Sequence, residues 1–142
     1  MPFIKIMLHC VWSTKNREPF LSDKTIRHEL FKHILANARE KGIFIDHIGG
    51  EKEHVHCLIS LGCEQNISKI IQLIKGESSH WFNKIFGQRL EWQDDYFVVS
   101  VSESQLSKVR AYILNQEEHH KRKNFNDESE EFINKHNFMR NK

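Results

Sequence analysis

Ile43-Phe44-Ile45-Asp46-His47-Ile48-Gly49-Gly50-Glu51-Lys52-Glu53-His54-Val55-His56-Cys57-Leu58-Ile59-Ser60-Leu61 is the stretch whose reading decides the fold. Residues 43–48 and 54–61 have strand character, and the glycine pair between them accepts positive φ. The segment therefore predicts an antiparallel hairpin turning at Gly49-Gly50. Along the return arm, alternation puts Val55, Cys57, Ile59 and Leu61 on one face and His54, His56 and Leu58 on the other. The first set reads as core, which leaves two imidazoles together on the opposite face.

Working outward, residues 3–13 are apolar, β-branched and aromatic and predict a central strand, broken by the polar run Lys15-Asn16-Arg17-Glu18-Pro19. From Ser22 to Lys41 the residues Ile26, Leu30, Ile34 and Ala38 recur every four positions, with Ser22 or Asp23 as N-cap and Gly42 as stop, which predicts a helix. Asn66 caps a second helix with Ile67, Ile70, Ile71, Ile74, Trp81 and Ile85 on one stripe and Gly87 at its end. Residues 96–101 predict a fourth strand, and Ser102 with Gln105 makes a capping-box signature for a third helix striped by Leu106, Val109 and Ile113. The order β-α-β-β-α-β-α predicts a ferredoxin-like α+β sandwich: a four-stranded antiparallel sheet with helices on one face and a C-terminal helix carrying Tyr112. The uncovered face is then where a site would lie.

A chain of 142 residues is the size of one domain, so residues 1–142 are expected to form a single unit with a charged tail from about residue 124, anchored only by Phe132, Ile133 and Phe138. No apolar run approaches the roughly 20 residues that span a bilayer, and the N-terminus does not resemble a signal peptide. A cytoplasmic location with no membrane partner is expected. Cys10, Cys57 and Cys63 are an odd number without framework spacing and read as reduced thiols. A net charge of +2 is too small to announce a nucleic-acid partner by itself. There is no phosphate-binding loop of the G-x-x-x-x-G-K-[ST] type, so no nucleotide cofactor is expected.

An isolated H-x-H motif is compatible with two ordinary histidines on a wet sheet face. Here, however, Tyr112-Ile113-Leu114-Asn115-Gln116 places a phenol and an amide one helical turn apart, and the combination points to DNA strand cleavage. His54, His56 and Gln116 would make a neutral ligand set for a divalent cation, Mg²⁺ or Mn²⁺, with positions left open for a phosphate oxygen and water. Zinc held by His54, His56, Cys57 and Cys63 is disfavoured because the thiols point through the sheet. Tyr112 is the candidate nucleophile; Tyr96, the other tyrosine, starts a strand, where an aromatic is more often packing. Lys15, Arg17, Lys75, Lys121, Arg122 and Lys123 are candidate contacts to DNA phosphates, although the cations 121–123 also suit a solvated helix end.

These residues resemble the HUH superfamily, specifically the single-tyrosine transposases of insertion-sequence-200 type. The resemblance includes Val11-Trp12-Ser13-Thr14-Lys15-Asn16-Arg17, Glu53-His54-Val55-His56, Lys75-Gly76-Glu77-Ser78-Ser79, Tyr96-Phe97-Val98 and Tyr112-Ile113-Leu114-Asn115-Gln116, and runs to about Phe125. It implies a catalytic domain acting on single-stranded DNA, with His54, His56 and Gln116 as metal ligands and Tyr112 forming a 5′-phosphotyrosine. It also implies recognition of hairpin ends and a homodimer in which the tyrosine helix can serve the partner's H-x-H site. Cys57 stands where an aliphatic residue is common, and Glu53 where Asp is common. Rival expectations are a replication-initiator or relaxase-type nickase and a non-catalytic hairpin-binding relative; a phosphodiesterase with two separated H-x-[ST] motifs ranks last.

Overall fold

The structure is a computed structural model describing residues 2–119 and residue 135. Strand β1 (Ile6–Ser13) leads to helix α1 (Lys24–Glu40), the hairpin β2 (Phe44–Glu51) and β3 (His54–Leu61), helix α2 (Ile67–Phe86), strand β4 (Phe97–Ser100), helix α3 (Leu106–Leu114) and helix α4 (Gln116–His119), at which the main run of described residues ends. The strands form one sheet in the order β2-β3-β1-β4, every neighbouring pair antiparallel. This is the expected α+β sandwich of ferredoxin-like type.

Local chemistry sets the ends of the two long helices. The Asp23 carboxylate accepts from the Ile26 amide at 3.1 Å and the Asn66 carbonyl oxygen from the Lys69 amide at 3.2 Å, so each satisfies an otherwise orphaned donor. Gly42 (φ 71°) and Gly87 (φ 62°) take the left-handed conformation beyond the helix ends.

Helices α1 and α2 cover one face of the sheet, where Leu8, Cys10, Trp12, Val55, Cys57 and Ile59 meet Leu30, Ile34, Ile71, Ile74 and Phe82 in the main core. The opposite face carries a smaller cluster, Met7 and Leu58 with Leu106 and Ile113 of α3. Strand β3 thus divides its side chains as its alternation predicts.

Four local expectations are corrected. Gly49 and Gly50 lie inside β2 and the hairpin turns at Lys52-Glu53. The pair answers to close approach: a Cβ on Gly49 would come within 2.1 Å of the Ile113 carbonyl oxygen, and one on Gly50 within 2.3 Å of the His54 carbonyl oxygen. Ser102 makes no side-chain cap; a 3₁₀ turn over Glu103–Gln105 precedes α3 instead. In α2, Ser78 and Phe82 continue the buried stripe of Ile70, Ile71 and Ile74, while Ile85 is exposed. Lastly, Tyr112 and Gln116 do not share one continuous helix, because Asn115 (φ −99°, ψ 20°) interrupts it.

Among the described residues no helix is long and apolar enough to cross a membrane.

Candidate active site

The small face of the sheet, beneath α3, brings the chemistry-bearing side chains together. His54 and His56 point the same way from β3, both buried, with ring centroids 5.0 Å apart. From α3, the half-buried Tyr112 lays its ring edge-on to His56 at 5.5 Å, and Gln116 is buried at the start of α4. Its amide nitrogen donates to the Tyr112 carbonyl oxygen at 3.0 Å, and its carbonyl oxygen lies 3.1 Å from His54 Nε2. The chain's own tyrosine therefore stands beside its own H-x-H pair.

His9 was not foreseen. It is buried on β1, paired in register with Leu58, and its Nε2 lies 2.9 Å from His56 Nδ1, one of the two nitrogens carrying the shared proton. Its ring also meets Tyr112 edge-on at 6.0 Å. The available signal was parity: with period two, Met7, His9 and Val11 share a strand face opposite Leu8, Cys10 and Trp12.

Glu53, buried at the hairpin turn, has its carboxylate 3.2 Å from His54 Nδ1. A carboxylate only accepts, so Nδ1 carries a proton, and in the neutral form of the ring the lone pair lies at Nε2. Gln116 Oε1 is an acceptor too, oriented by the hydrogen bond its nitrogen gives to Tyr112. Two acceptors facing each other at 3.1 Å require a cation between them or a proton on the ring. The separation fits two adjacent ligands of one ion at about 2.1 Å, which stand about 3.0 Å apart when at right angles. His54 and Gln116 are thus placed as neighbouring donors compatible with a divalent metal, with His56 beside His54 on the same sheet face. Cys57 is buried on the opposite face and Cys63 is exposed, so neither joins these imidazoles.

Polar contacts fasten this site to the sheet. Asp46 occupies an irregularity in the β2–β3 register and receives Arg110 Nε and Nη2 at 2.9 and 3.0 Å, with His47 as a further partner. The Arg110 hydrogen bond holds the Asp46 carboxyl below its ordinary pKa. On α4, Glu117 accepts from Arg27 at 2.7 Å and faces His28 at 2.9 Å and Lys24 at 3.2 Å. Burial alone would raise the Glu117 carboxyl, but these three partners outweigh it and bring it down to about 2.

The candidate phosphate contacts are dispersed. Lys15 pairs with Glu91 at 3.2 Å, in an exit loop where Asn16 and Arg17 adopt positive φ of 56° and 55°. Lys75 donates to the Gln93 and Asp94 carbonyl oxygens and lies 5.8 Å from the centre of the Tyr96 ring. Burial pulls its ammonium below the ordinary lysine pKa, against the opposing pull of Asp94 and Asp95. Lys75 is thus engaged in holding the loop before β4. Lys121, Arg122 and Lys123, like the tail anchors Phe132, Ile133 and Phe138, lie outside the described residues.

Comparison with known proteins places this site in context. The family model described as "Transposase IS200 like" matches residues 3–116. The ISDra2 transposase TnpA of Deinococcus radiodurans is 26% identical over 117 residues, covering 76% of this chain and 81% of that protein. Among solved structures, a transposase crystal structure from Deinococcus radiodurans R1 superposes with a TM-score of 0.66 at 24% identity, covering 81% of this chain and 93% of the other. A REP-associated tyrosine transposase bound to a REP hairpin gives 0.58 at 19% identity, covering 80% and 67%. These two structures share the fold.

Proposed function

Because the chain belongs to the IS200-like transposase family, we propose that it cleaves and rejoins single-stranded DNA at the ends of a mobile element through a covalent bond to Tyr112. The observation that carries this reading is the convergence of Tyr112, His54, His56 and Gln116 on one sheet face. The Tyr112 phenol oxygen attacks a backbone phosphorus, the bond from phosphorus to the 3′-oxygen breaks, and the phenol proton ends on the released 3′-hydroxyl. The product is a 5′-phosphotyrosine, which conserves the phosphodiester energy for rejoining when a 3′-hydroxyl attacks in reverse.

A phenol of pKa near 10 is a weak nucleophile at neutral pH, so the phosphate must be polarised. A divalent metal, Mg²⁺ or Mn²⁺, held by His54, Gln116 and His56 would supply that polarisation. With Nδ1 engaged by His9, His56 would bind through Nε2. Glu53 fixes the His54 ring, and the neighbouring His56 and His9 rings both lie edge-on to the phenol ring. Hairpin DNA as substrate is supported by the hairpin-bound relative of like fold, and a homodimer belongs to the same reading.

The test mixes the protein with single strands from the gene's flanks and with a random pool, in Mn²⁺, Mg²⁺ or chelator, and looks for an adduct that survives denaturant. A metal-dependent adduct is expected in wild type and Tyr96→Phe and absent in Tyr112→Phe. Loss in Tyr96→Phe alone would reassign the nucleophile, and hairpin binding with no adduct in folded wild type would favour a non-catalytic binding module.

A further inference from the structure

Asn115 (φ −99°, ψ 20°) interrupts the helical path between α3 and Gln116, so α3 alone does not set where the Gln116 side chain points. Contacts to the rest of the fold contribute to its position. We propose that Arg27 of α1, acting through Glu117 and Glu51, is a positioning residue that holds Gln116 against His54 and so joins the two halves of the metal-binding donor set. The inference rests on the metal-dependent reading above.

Arg27 is nearly buried, at 3% exposure. Its Nη2 donates to Glu117 Oε1 at 2.7 Å, and its Nη1 donates to the Leu21 carbonyl oxygen at 2.8 Å while standing 3.2 Å from Glu51 Oε1. Glu117 is the residue after Gln116. Glu51 is the cross-strand partner of His54. One guanidinium thus ties the end of the hairpin that presents the imidazole to the helix that presents the amide. A buried cation deprived of a counter-charge is costly, so Arg27 keeps both carboxylates close. Its planar fork suits two acceptors at fixed angles, which a lysine ammonium does not reproduce. Lys24, three residues earlier on α1, and His28, the residue after Arg27, reinforce the Glu117 side.

The experiment uses the full chain as wild type, Glu117→Gln, Arg27→Lys and, as control, Glu103→Gln, which removes an exposed pair with Lys5. Nuclear magnetic resonance of the metal-free proteins reads the Gln116 side-chain amide and His54 ring, calorimetry reads Mn²⁺ affinity, and circular dichroism reads folding. Glu117→Gln and Arg27→Lys should move the Gln116 amide resonances towards those of a solvated glutamine and weaken Mn²⁺ binding by about 10-fold or more, the scale on which residues supporting a ligand act. Glu103→Gln should change neither. Unmoved Gln116 resonances in folded Glu117→Gln overturn the proposal. If wild type binds no Mn²⁺, the metal reading fails, and the metal-free resonances still decide whether Arg27 positions Gln116. Should Arg27→Lys fail to fold, Glu117→Gln decides alone, since it leaves Arg27 paired with Glu51.

Discussion

His9 shows how much of the site hangs on a residue with no motif around it. Its hydrogen bond to His56 Nδ1 holds that ring's rotation, and its own ring lies edge-on to Tyr112. His9→Phe keeps a ring of similar shape and removes the nitrogens. It is expected to lower Mn²⁺ affinity by about 10- to 100-fold, measured by calorimetry, and to leave a buried imidazole nitrogen of His56 without this partner at about 1–3 kcal/mol of stability, measured by urea unfolding. Unchanged affinity would show that His56 needs no such support. The H-x-H pair was legible because two residues in one strand declare their shared face by parity alone. His9 was not, because its proximity to His56 depends on the β1–β3 register, which no local pattern prints. Arg27 was hidden likewise: it sits beside the apolar stripe of α1, yet is buried through carboxylates distant in sequence.

Helix α3 approaches β2 more closely than any side chain at position 49 permits. With a Cβ predicted 2.1 Å from the Ile113 carbonyl oxygen, Gly49→Ala must push the helix carrying Tyr112 away from the sheet. The expected cost is about 1–3 kcal/mol together with faster amide hydrogen exchange in α3, read by mass spectrometry; unaltered exchange there would mean the contact does not seat the helix. Asp46 and Arg110 lock the same interface by charge. Because the folded-state pKa of Asp46 is depressed, this contribution is fully present above the unfolded-state value of about 3.9 and is lost as pH falls through the folded one. The melting temperatures of wild type and Asp46→Asn should therefore differ at neutral pH and converge in acid. The sequence pattern located both glycines but assigned them to a turn, since a Gly-Gly pair between strands has the same local appearance whether it bends the chain or admits a helix. The break at Asn115 was equally invisible, the residues around it being compatible with a continuing helix.

At the scale of the whole molecule, the sheet separates two clusters of unequal size: a broad core under α1 and α2, and a thin layer under α3 in which the site is embedded. The order of elements and the alternation along β3 were sufficient to predict the broad core on one face, because burial there follows directly from side-chain period, but the opposite face, expected to be uncovered, is closed over by Leu106 and Ile113 of α3. Which helix residues complete each layer, such as Phe82 in place of Ile85, was set by packing. The asymmetry implies that α3 can loosen while the main core stays closed, and the cysteines report on it. Cys10 and Cys57 are register partners across β1 and β3, fully buried on the core face, and burial pushes the Cys10 thiol up to about 12 and Cys57 well above its ordinary value, whereas Cys63 is exposed. Since the thiolate is the reactive form, a disulfide reagent at pH 8 should titrate one thiol in the native protein and two more only on unfolding. In a urea series the two late thiols should appear with the loss of circular dichroism, and in Gly49→Ala they should remain protected at urea concentrations where α3 already exchanges freely. Early exposure of all three thiols in that variant would mean instead that the two layers unfold as one cooperative unit and that α3 is part of the core's stability.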